Sequence, residues 1–241
     1  MLWQDQVHPQ WKPLLAEAWQ QLDPAYIRLL QNETPWLPGP SSVFAAFTQP
    51  LASTRYILFG ESPYPRSQSA NGYAFWDASV NQLWSPTGLS TSVNRATSLR
   101  NFIKMLLYAR GDLHLDFSQA AIARLDHQMY VQTLPALFKS LLAHGFLLLN
   151  ASLVYREGLV RQDVRCWQPF MVSLLDQLAQ CAPTIQCLLL GRWAQLIPHT
   201  EAFSCLKAMH PYQLSFITAP NVVSFFKPFN LLDPHEPPNQ H

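Results

Sequence analysis

Short runs of apolar residues, each ending at a polar residue or a glycine, recur along the chain. The runs at 56–59, 146–149 and 187–190 predict buried β-strands, and the run at 205–209 predicts a weaker fourth strand. Apolar and polar residues do not alternate within them. We therefore expect strands that are covered on both faces, as in a parallel sheet.

Between these runs the apolar residues follow the i, i+3, i+4 spacing of amphipathic helices. Helices are predicted over 99–107, 128–144 and 169–180, and Pro169 is suited to the first turn of the last one. Two further helices are predicted near the N-terminus, at about 11–22 and about 24–30.

Strands that alternate with helices predict an α/β fold with a central four-stranded parallel sheet and helices on both faces. No repeat, linker or change in composition marks a second domain. We therefore expect a single domain over residues 1–241, with an N-terminal helical region at about 8–50 and a core at about 55–233.

The composition restricts the function classes. The chain has 241 residues, 49% of them hydrophobic, which is enough for one sizeable core. Sixteen basic and 15 acidic residues leave a net charge of +1, so any DNA contact must come from a local patch. The first residues lack a signal-peptide pattern, and no apolar run reaches the roughly 18–20 residues of a membrane span. We expect a cytoplasmic protein.

The cysteines argue against a metal centre. The four cysteines, at positions 166, 181, 187 and 205, form no CxxC pair. Their spacing predicts neither a zinc site nor an iron–sulfur site. Cys187 lies inside an apolar run and is expected to be a core residue.

Polar residues follow each predicted strand. Glu61, Ser62 and Tyr64 follow the first strand, Asn150 follows the second, the segment Gly191-Arg-Trp-Ala-Gln195 follows the third, and His210 follows the fourth. Ligands of parallel α/β sheets bind beyond the carboxyl ends of the strands. An amide, an imidazole, a phenol and an aromatic ring at this edge suit a planar, hydrogen-bonding heterocycle.

Four segments resemble motifs of the uracil-DNA glycosylase superfamily, nearest its uracil-specific branch. They are Gly60-Glu-Ser-Pro-Tyr64, Leu147-Leu-Leu-Asn-Ala-Ser-Leu-Val154, Leu190-Gly-Arg-Trp-Ala-Gln195 and Met209-His-Pro-Tyr-Gln-Leu-Ser215. The resemblance extends from about residue 8 to about residue 233. It implies an enzyme that flips a base out of DNA before acting on it.

The resemblance also implies roles for single residues in the base pocket. Phe75, in Gly72-Tyr-Ala-Phe75, would stack on the flipped base, and Asn150 would read the uracil edge. Tyr64 would exclude the thymine methyl group. His210 would donate a hydrogen bond to the departing base.

Contacts to the DNA follow from the same resemblance. Leu214 would fill the vacated stack, while Ser98 and Tyr212 would contact phosphates. Ser98 could equally be a helix N-cap. Four cations could contact phosphates or act as surface charges: Arg95, Arg100, Arg156 and Lys207.

The chain departs from the family at the water-activating position, where Ser62 replaces an Asp. A serine can hold a water molecule but supplies no negative charge. The loss of such a charge typically lowers the reaction rate by about 10²–10³-fold. Glu61 could supply the carboxylate instead. The loop Gly60-Glu-Ser-Pro63 resembles that of another branch of the superfamily, in which Gly-Glu is followed by a small residue and Pro. That branch commonly carries an iron–sulfur cluster, whose cysteines are missing here. For Asp77 we expect a surface role.

Smaller departures accompany this one. Pro65 stands where the family has a His, and Tyr212 stands where it has a Ser. The segment 108–141 is longer than its family equivalent, and its sequence indicates no role.

We interpret the chain as a monomeric, monofunctional uracil-DNA glycosylase without metal or cofactor, acting on single- or double-stranded DNA. No lysine at the strand ends could drive a lyase step, so an abasic site is the expected product. One alternative is a glycosylase for another damaged base. A second is a catalytically silent paralogue that binds uracil-containing or single-stranded DNA. A pure protein-interaction module would not need Asn150 and His210 at strand ends.

Overall fold

The computed structural model describes residues 6–32 and 35–234. Within these segments six strands form two sheets. They are β1 (Tyr56–Gly60), β2 (Trp84–Ser85), β3 (Gly88–Leu89), β4 (Phe146–Asn150), β5 (Gln186–Leu190) and β6 (Ser204–Ala208). The central sheet is four-stranded and parallel, with the order β4-β1-β5-β6. Strands β2 and β3 form an antiparallel pair.

The same segments contain eight α-helices. They are α1 (Lys12–Gln20), α2 (Pro24–Asn32), α3 (Thr91–Arg95), α4 (Thr97–Arg110), α5 (Gln119–Ala123), α6 (Leu134–Ala143), α7 (Val160–Cys181) and α8 (Pro220–Phe226). No helix in this part of the chain combines the length and apolarity needed to cross a bilayer.

The predicted α/β fold is confirmed, and each strand of the central sheet begins and ends within one residue of its predicted bounds. All five residues of β4 are buried, as are the three central residues of β1. Consecutive buried residues in a strand mean that both of its faces are covered. This explains why the strands appear in the sequence as unbroken apolar runs.

One helix prediction was wrong about Pro169. Helix α7 begins nine residues earlier, at Val160, and runs through Pro169 to Cys181. A proline inside a helix removes a backbone hydrogen bond and costs about 3 kcal/mol. The buried side chains of Trp167, Phe170 and Met171 continue the apolar stripe on both sides of it and offset this cost.

The helix predicted over 128–144 is shorter than expected. Helix α6 begins at Leu134, because Thr133 caps it by accepting a hydrogen bond from the Ala136 amide. Pro135 then occupies the second helical position, where no backbone donor is needed.

The described residues divide into two compact units. Unit 1 comprises the described residues up to Ala78 with Gly145–Leu189 and Trp193–Cys205. Unit 2 comprises Ser79–His144, Leu190–Arg192 and the described residues from Leu206 onward. The expectation of a single domain over residues 1–241 stays a prediction.

Each unit has its own aromatic packing. In unit 1, α1 packs against α7 around side chains that are almost completely buried: Trp11, Phe44, Phe47, Trp167 and Phe170. In unit 2, α4 packs against α8, and the rings of Phe102 and Phe226 meet edge to face at 5.3 Å. Cys187 is fully buried in unit 1, as expected for a core residue.

The long segment at 108–141 has a structural role within unit 2. Its helix α5 packs against β3, and the Gln119 side chain accepts a hydrogen bond from the Leu89 amide at 2.8 Å. A Cβ at Gly88 would lie 2.5 Å from the Gln119 Oε1 atom, so this approach requires glycine.

A buried ion pair between Arg156 and Asp163 of α7 also accepts a hydrogen bond from Tyr26 of α2 in unit 1. The Asp163 carboxylate is completely buried and accepts hydrogen bonds from Arg156 Nη2 at 2.7 Å, Arg156 Nε at 2.9 Å and Tyr26 Oη at 2.8 Å. Burial and the adjacent Asp163 carboxylate raise the pKa of Tyr26, which stays a neutral donor. Arg156 is itself buried and paired, so the expectation that it could contact a DNA phosphate was wrong.

We expect Asp163→Asn to lower the free energy of unfolding by about 3 kcal/mol, because it leaves the buried Arg156 charge without a counter-charge. Urea denaturation at pH 7 measures this loss. The matched control is Asp176→Asn, which removes an exposed carboxylate bonded to His199 and should cost less than about 1 kcal/mol. Equal losses in the two variants would contradict a structural role for the buried pair.

Candidate active site

The loop after β1 is fixed by hydrogen bonds to the chain that follows β4. The amide of Ala151 donates to the Gly60 carbonyl at 2.9 Å, and the amide of Ser152 donates to the Glu61 carbonyl at 3.0 Å. The parallel pairing of β1 with β4 therefore continues beyond both strands. It holds the residues after β1 beside Asn150.

Asn150 lies directly against Gly60. A Cβ at Gly60 would lie 2.4 Å from Asn150 Oδ1 and 3.0 Å from the Ala74 Cβ, so only glycine fits there. Asn150 is 2% exposed, and its side-chain amide forms no hydrogen bond with any other residue that the structure describes. Buried polar groups nearly always have a partner. The donor and acceptor of this amide are therefore available to a ligand.

Phe75 has a strained backbone that its neighbours support. Its φ of 64° lies in the left-handed region, which costs a non-glycine residue on the order of 1 kcal/mol. The amide of Ala74 donates to the Leu148 carbonyl at 3.1 Å, which attaches the segment to β4. The Tyr64 hydroxyl donates to the Phe75 carbonyl at 3.1 Å. Tyr64 and Phe75 are thus positioned together.

Asp77 is buried, so the expected surface role was wrong. It is 4% exposed, and its carboxylate pairs with Arg66 Nη2 at 3.1 Å. Burial, and after it the Asp77 charge, raise the pKa of Tyr64 to about 12. The Tyr64 hydroxyl therefore stays protonated and able to donate at neutral pH.

Ser62 and Glu61 provide different chemistry at the loop. Ser62 is half-buried, and its hydroxyl makes one long contact, 3.4 Å, to the Pro63 carbonyl. Partial burial raises the pKa of Glu61, and the positive charge of Arg161 opposes this effect. Ser62 can orient a water molecule by a hydrogen bond, whereas only Glu61 can add negative charge.

In unit 2 the backbone fixes the tautomer of His210. The amide of Tyr212 donates to His210 Nδ1 at 3.1 Å, so in the neutral ring the proton lies on Nε2. Burial lowers the pKa of His210, which favours this neutral form. A Cβ at Gly191 would lie 2.8 Å from the His210 Cβ, so glycine is required for the loop to approach this closely.

Asn101 supports the same loop and was missed by the sequence reasoning. It is completely buried on α4, and its Nδ2 donates to the carbonyls of Pro211 at 2.8 Å and Tyr212 at 3.3 Å. A sequence signal was present, because Asn101 interrupts the apolar stripe of α4 next to Phe102. The amide positions the residues that follow His210.

The expected DNA-contacting residues of unit 2 are accessible. Leu214 is 71% exposed and Tyr212 is 63% exposed. Ser98 is the second residue of α4 and Ala96 is its N-cap, so the alternative of Ser98 as an N-cap was wrong. Backbone amides at the start of a helix attract anions, which is compatible with a phosphate near Ser98.

The predicted site residues thus fall into two groups. Unit 1 brings together the residues predicted for a base pocket and a catalytic loop: Glu61, Ser62, Tyr64, Phe75 and Asn150. Unit 2 holds the histidine loop and Ser98: His210, Tyr212, Leu214 and Ser98.

Comparison with curated sequences identifies relatives, although no family model matches the chain. The uracil-DNA glycosylase of Nocardioides sp. (strain ATCC BAA-499 / JS614) is 27% identical over 214 residues, which cover 86% of this chain and 80% of that protein. The uracil-DNA glycosylase of Corynebacterium glutamicum is 30% identical over 69 residues, 29% of this chain and 26% of that protein.

Solved structures extend the comparison. The wild-type UNG from Nitratifractor salsuginis superposes with a TM-score of 0.90 at 37% identity, covering 96% of this chain and 95% of that one. The mimivirus uracil-DNA glycosylase shares the fold, with a TM-score of 0.60 at 16% identity, and covers 88% of this chain and 71% of that one. On these similarities the chain belongs to the uracil-DNA glycosylase superfamily.

Proposed function

We propose that this protein is a DNA glycosylase that removes uracil from DNA by base flipping and hydrolysis of the N-glycosidic bond. The observation that carries the proposal is the Asn150 amide, which is buried and forms no hydrogen bond with another described residue. In a chain of this superfamily, such an amide suits the hydrogen-bonding edge of a planar base.

Recognition of the base would use the unit 1 residues. Asn150 donates to uracil O4 and accepts from N3–H, which cytosine cannot satisfy because its edge has the opposite polarity. Phe75 stacks on the base, and Tyr64 occupies the space that a 5-methyl group would need. The hydrogen bond from Tyr64 to the Phe75 carbonyl keeps both rings in place.

His210 would stabilise the leaving group. As the bond from C1′ to N1 breaks, its electron pair moves to the uracil and negative charge builds on O2. The Nε2–H of neutral His210 donates to this oxygen, an interaction that strengthens as the charge develops. The hydrogen bond from the Tyr212 amide to His210 Nδ1 favours this protonation state, and so does the lowered pKa of His210.

Attack of water completes the hydrolysis. A water oxygen bonds to C1′, a water proton is released, and the products are free uracil and an abasic site. Ser62 would orient this water, and Glu61 is the nearest candidate for a carboxylate that stabilises the positive sugar. The missing charge at Ser62 should slow the reaction by about 10²–10³ without abolishing it.

Contacts of unit 2 with DNA would support base flipping. Leu214 is exposed and apolar, and it would fill the space left by the flipped nucleotide. Ser98 and Tyr212 would bind phosphates. Removal of uracil in this way is the first step of base-excision repair.

A second candidate function is recognition of uracil-containing DNA without turnover. Ser62 favours this alternative, since its hydroxyl leaves the water-activating position without charge. The base pocket would then be kept for binding alone.

Single-turnover cleavage of a uracil-containing oligonucleotide separates the two candidates. We expect slow cleavage by the wild type, loss of cleavage in His210→Ala, and acceleration in Ser62→Asp by about 10²–10³. Glu61→Gln should slow the wild type by about a hundredfold if its carboxylate stabilises the sugar.

Two outcomes would change the assignment. Cleavage gained only in Ser62→Asp would show that the natural protein binds without turnover. A rate unaffected by His210→Ala would overturn the proposed role of the histidine.

The protonation of His210 can be measured without activity. We expect long-range ¹H–¹⁵N NMR spectra to show the Nε2-protonated tautomer at pH 7 and a titration midpoint below the usual value of about 6.5. The His210→Gln variant assigns the resonances. A midpoint above 6.5, or an Nδ1-protonated ring, would contradict the proposed donor.

The lowered pKa of His210 also has a consequence for stability. Below pH 6.5 the unfolded chain binds a proton at this ring before the folded chain does. The contribution of the neutral ring to stability is therefore complete above pH 6.5. It decreases as the pH falls from 6.5 toward the lower pKa of the folded state.

Tyr64 should set the discrimination between uracil and thymine. We expect Tyr64→Ala to reduce the ratio of uracil to thymine excision by about 10–100-fold, because it opens space for one methyl group. Tyr64→Phe is the matched control, since it keeps the ring and removes only the hydroxyl that bonds Phe75. Unchanged discrimination in Tyr64→Ala would contradict the role.

A further inference from the structure

A small cavity lies on unit 1 beside the catalytic loop. It is bounded by Gly60, Glu61 and Ala151 at the ends of β1 and β4, by Gln168 of α7, and by Trp193 and Leu196. Its volume of about 130 Å³ is the space of roughly four water molecules. A cavity of this size fits one small planar ring rather than a whole nucleotide or a large ligand.

The wall and rim of this cavity expose apolar side chains. Trp193 is 50% exposed and Leu196 is 72% exposed. Leu159, the residue before α7, lies outside the cavity lining and is 39% exposed. Exposure of aromatic rings and large aliphatic side chains to water is unfavourable, and burial against a ligand would be favourable. An indole that is half-exposed next to an open cavity is suited to stack on a ligand.

Two arginines accompany these apolar residues. The Arg161 guanidinium lies 5.8 Å from the centre of the Trp193 ring, and Arg165 follows one helical turn later on α7. Arg161, Arg165 and Leu159 line a shared groove. Neither arginine forms an ion pair with a residue in the described segments. Their positive charge is thus available to an anionic partner.

The small cavity, the exposed Trp193 ring and the two arginines together favour single-stranded nucleic acid as the ligand of this surface. Proteins that bind single strands place aromatic rings for the bases next to cations for the phosphates. A paired base cannot enter a cavity of one ring's size, whereas an unpaired base can. A stable protein partner would need a much larger apolar area than these three exposed side chains offer.

We propose that the Trp193 surface, formed by Leu159, Arg161, Arg165, Trp193 and Leu196, holds an unpaired nucleotide of the DNA strand outside the uracil pocket. The base enters the cavity against Trp193 and Leu196, and Arg161 and Arg165 bind the flanking phosphates. This inference rests on the proposed function to the extent that the strand it binds is the strand that carries the uracil. It predicts a preference for single-stranded over double-stranded substrate.

Fluorescence anisotropy with a labelled, uracil-free single strand tests the surface, with the same sequence as a duplex for comparison. We expect Trp193→Ala in the full chain to weaken binding of the single strand by about tenfold, the effect of one lost base stack. Duplex binding should stay unchanged. Arg161→Gln should reduce the slope of log affinity against log salt by about 0.7, the effect of one lost phosphate contact.

Matched controls keep the test independent of folding. Trp193→Phe retains a stacking ring and should bind like the wild type. Leu115→Ala and Arg124→Gln remove an exposed apolar residue and an exposed cation from unit 2, and both should leave single-strand binding unchanged. Thermal unfolding of each variant verifies that the fold is intact.

Three results would overturn the proposal: wild-type protein that does not bind the single strand, Trp193→Ala that binds it normally, or equal weakening for single strand and duplex. The oligonucleotide contains no uracil, so these results do not depend on catalysis. Cleavage of a uracil-containing strand by the same preparations tests the proposed function separately.

Discussion

The close approach of Asn150 to Gly60 is the constraint on which the unit 1 site depends. Parallel pairing of β1 with β4 sets these residues side by side, and the hydrogen bonds of Ala151 and Ser152 extend the pairing into the loop. Any side chain at position 60 would displace the Asn150 amide. The nearly buried Asn150 amide thus has no hydrogen bond to another described residue, and a ligand edge can satisfy its donor and acceptor.

In the proposed reaction, the leaving group would receive more electrostatic stabilisation than the attacking water. The leaving-group side has a histidine whose neutral tautomer is set by a backbone amide and whose pKa is lowered by burial. The water side has a hydroxyl at Ser62, which orients but adds no charge. The proposed reaction would therefore rely on stabilising the departing anion more than on activating the nucleophile. Under the proposed function, this balance is how a chain with Ser62 at the water-activating position would still support hydrolysis.

Local strain and support occur together around the base pocket. Phe75 holds a left-handed backbone conformation, and the Tyr64 hydroxyl and the β4 backbone compensate for it through hydrogen bonds. In unit 2, the buried Asn101 amide supports the histidine loop through two carbonyls. Both arrangements hold a candidate ring, Phe75 or His210, on a segment that hydrogen bonds fix in place, which would limit the reorganisation required on binding.

The sequence alone determined the strands of the central sheet, because unbroken apolar runs have few alternatives when both faces of a strand are covered. It also determined the candidate residues at the strand ends, through their motifs. Tertiary packing decided the rest. Pro169 lies inside α7 because a buried stripe outweighs a lost hydrogen bond. Arg156 and Asp77 are buried because the folded chain brings each of them against an oppositely charged partner, Asp163 and Arg66 respectively. The role of Asn101 depends on carbonyls 110 and 111 residues away, a separation that no local pattern encodes.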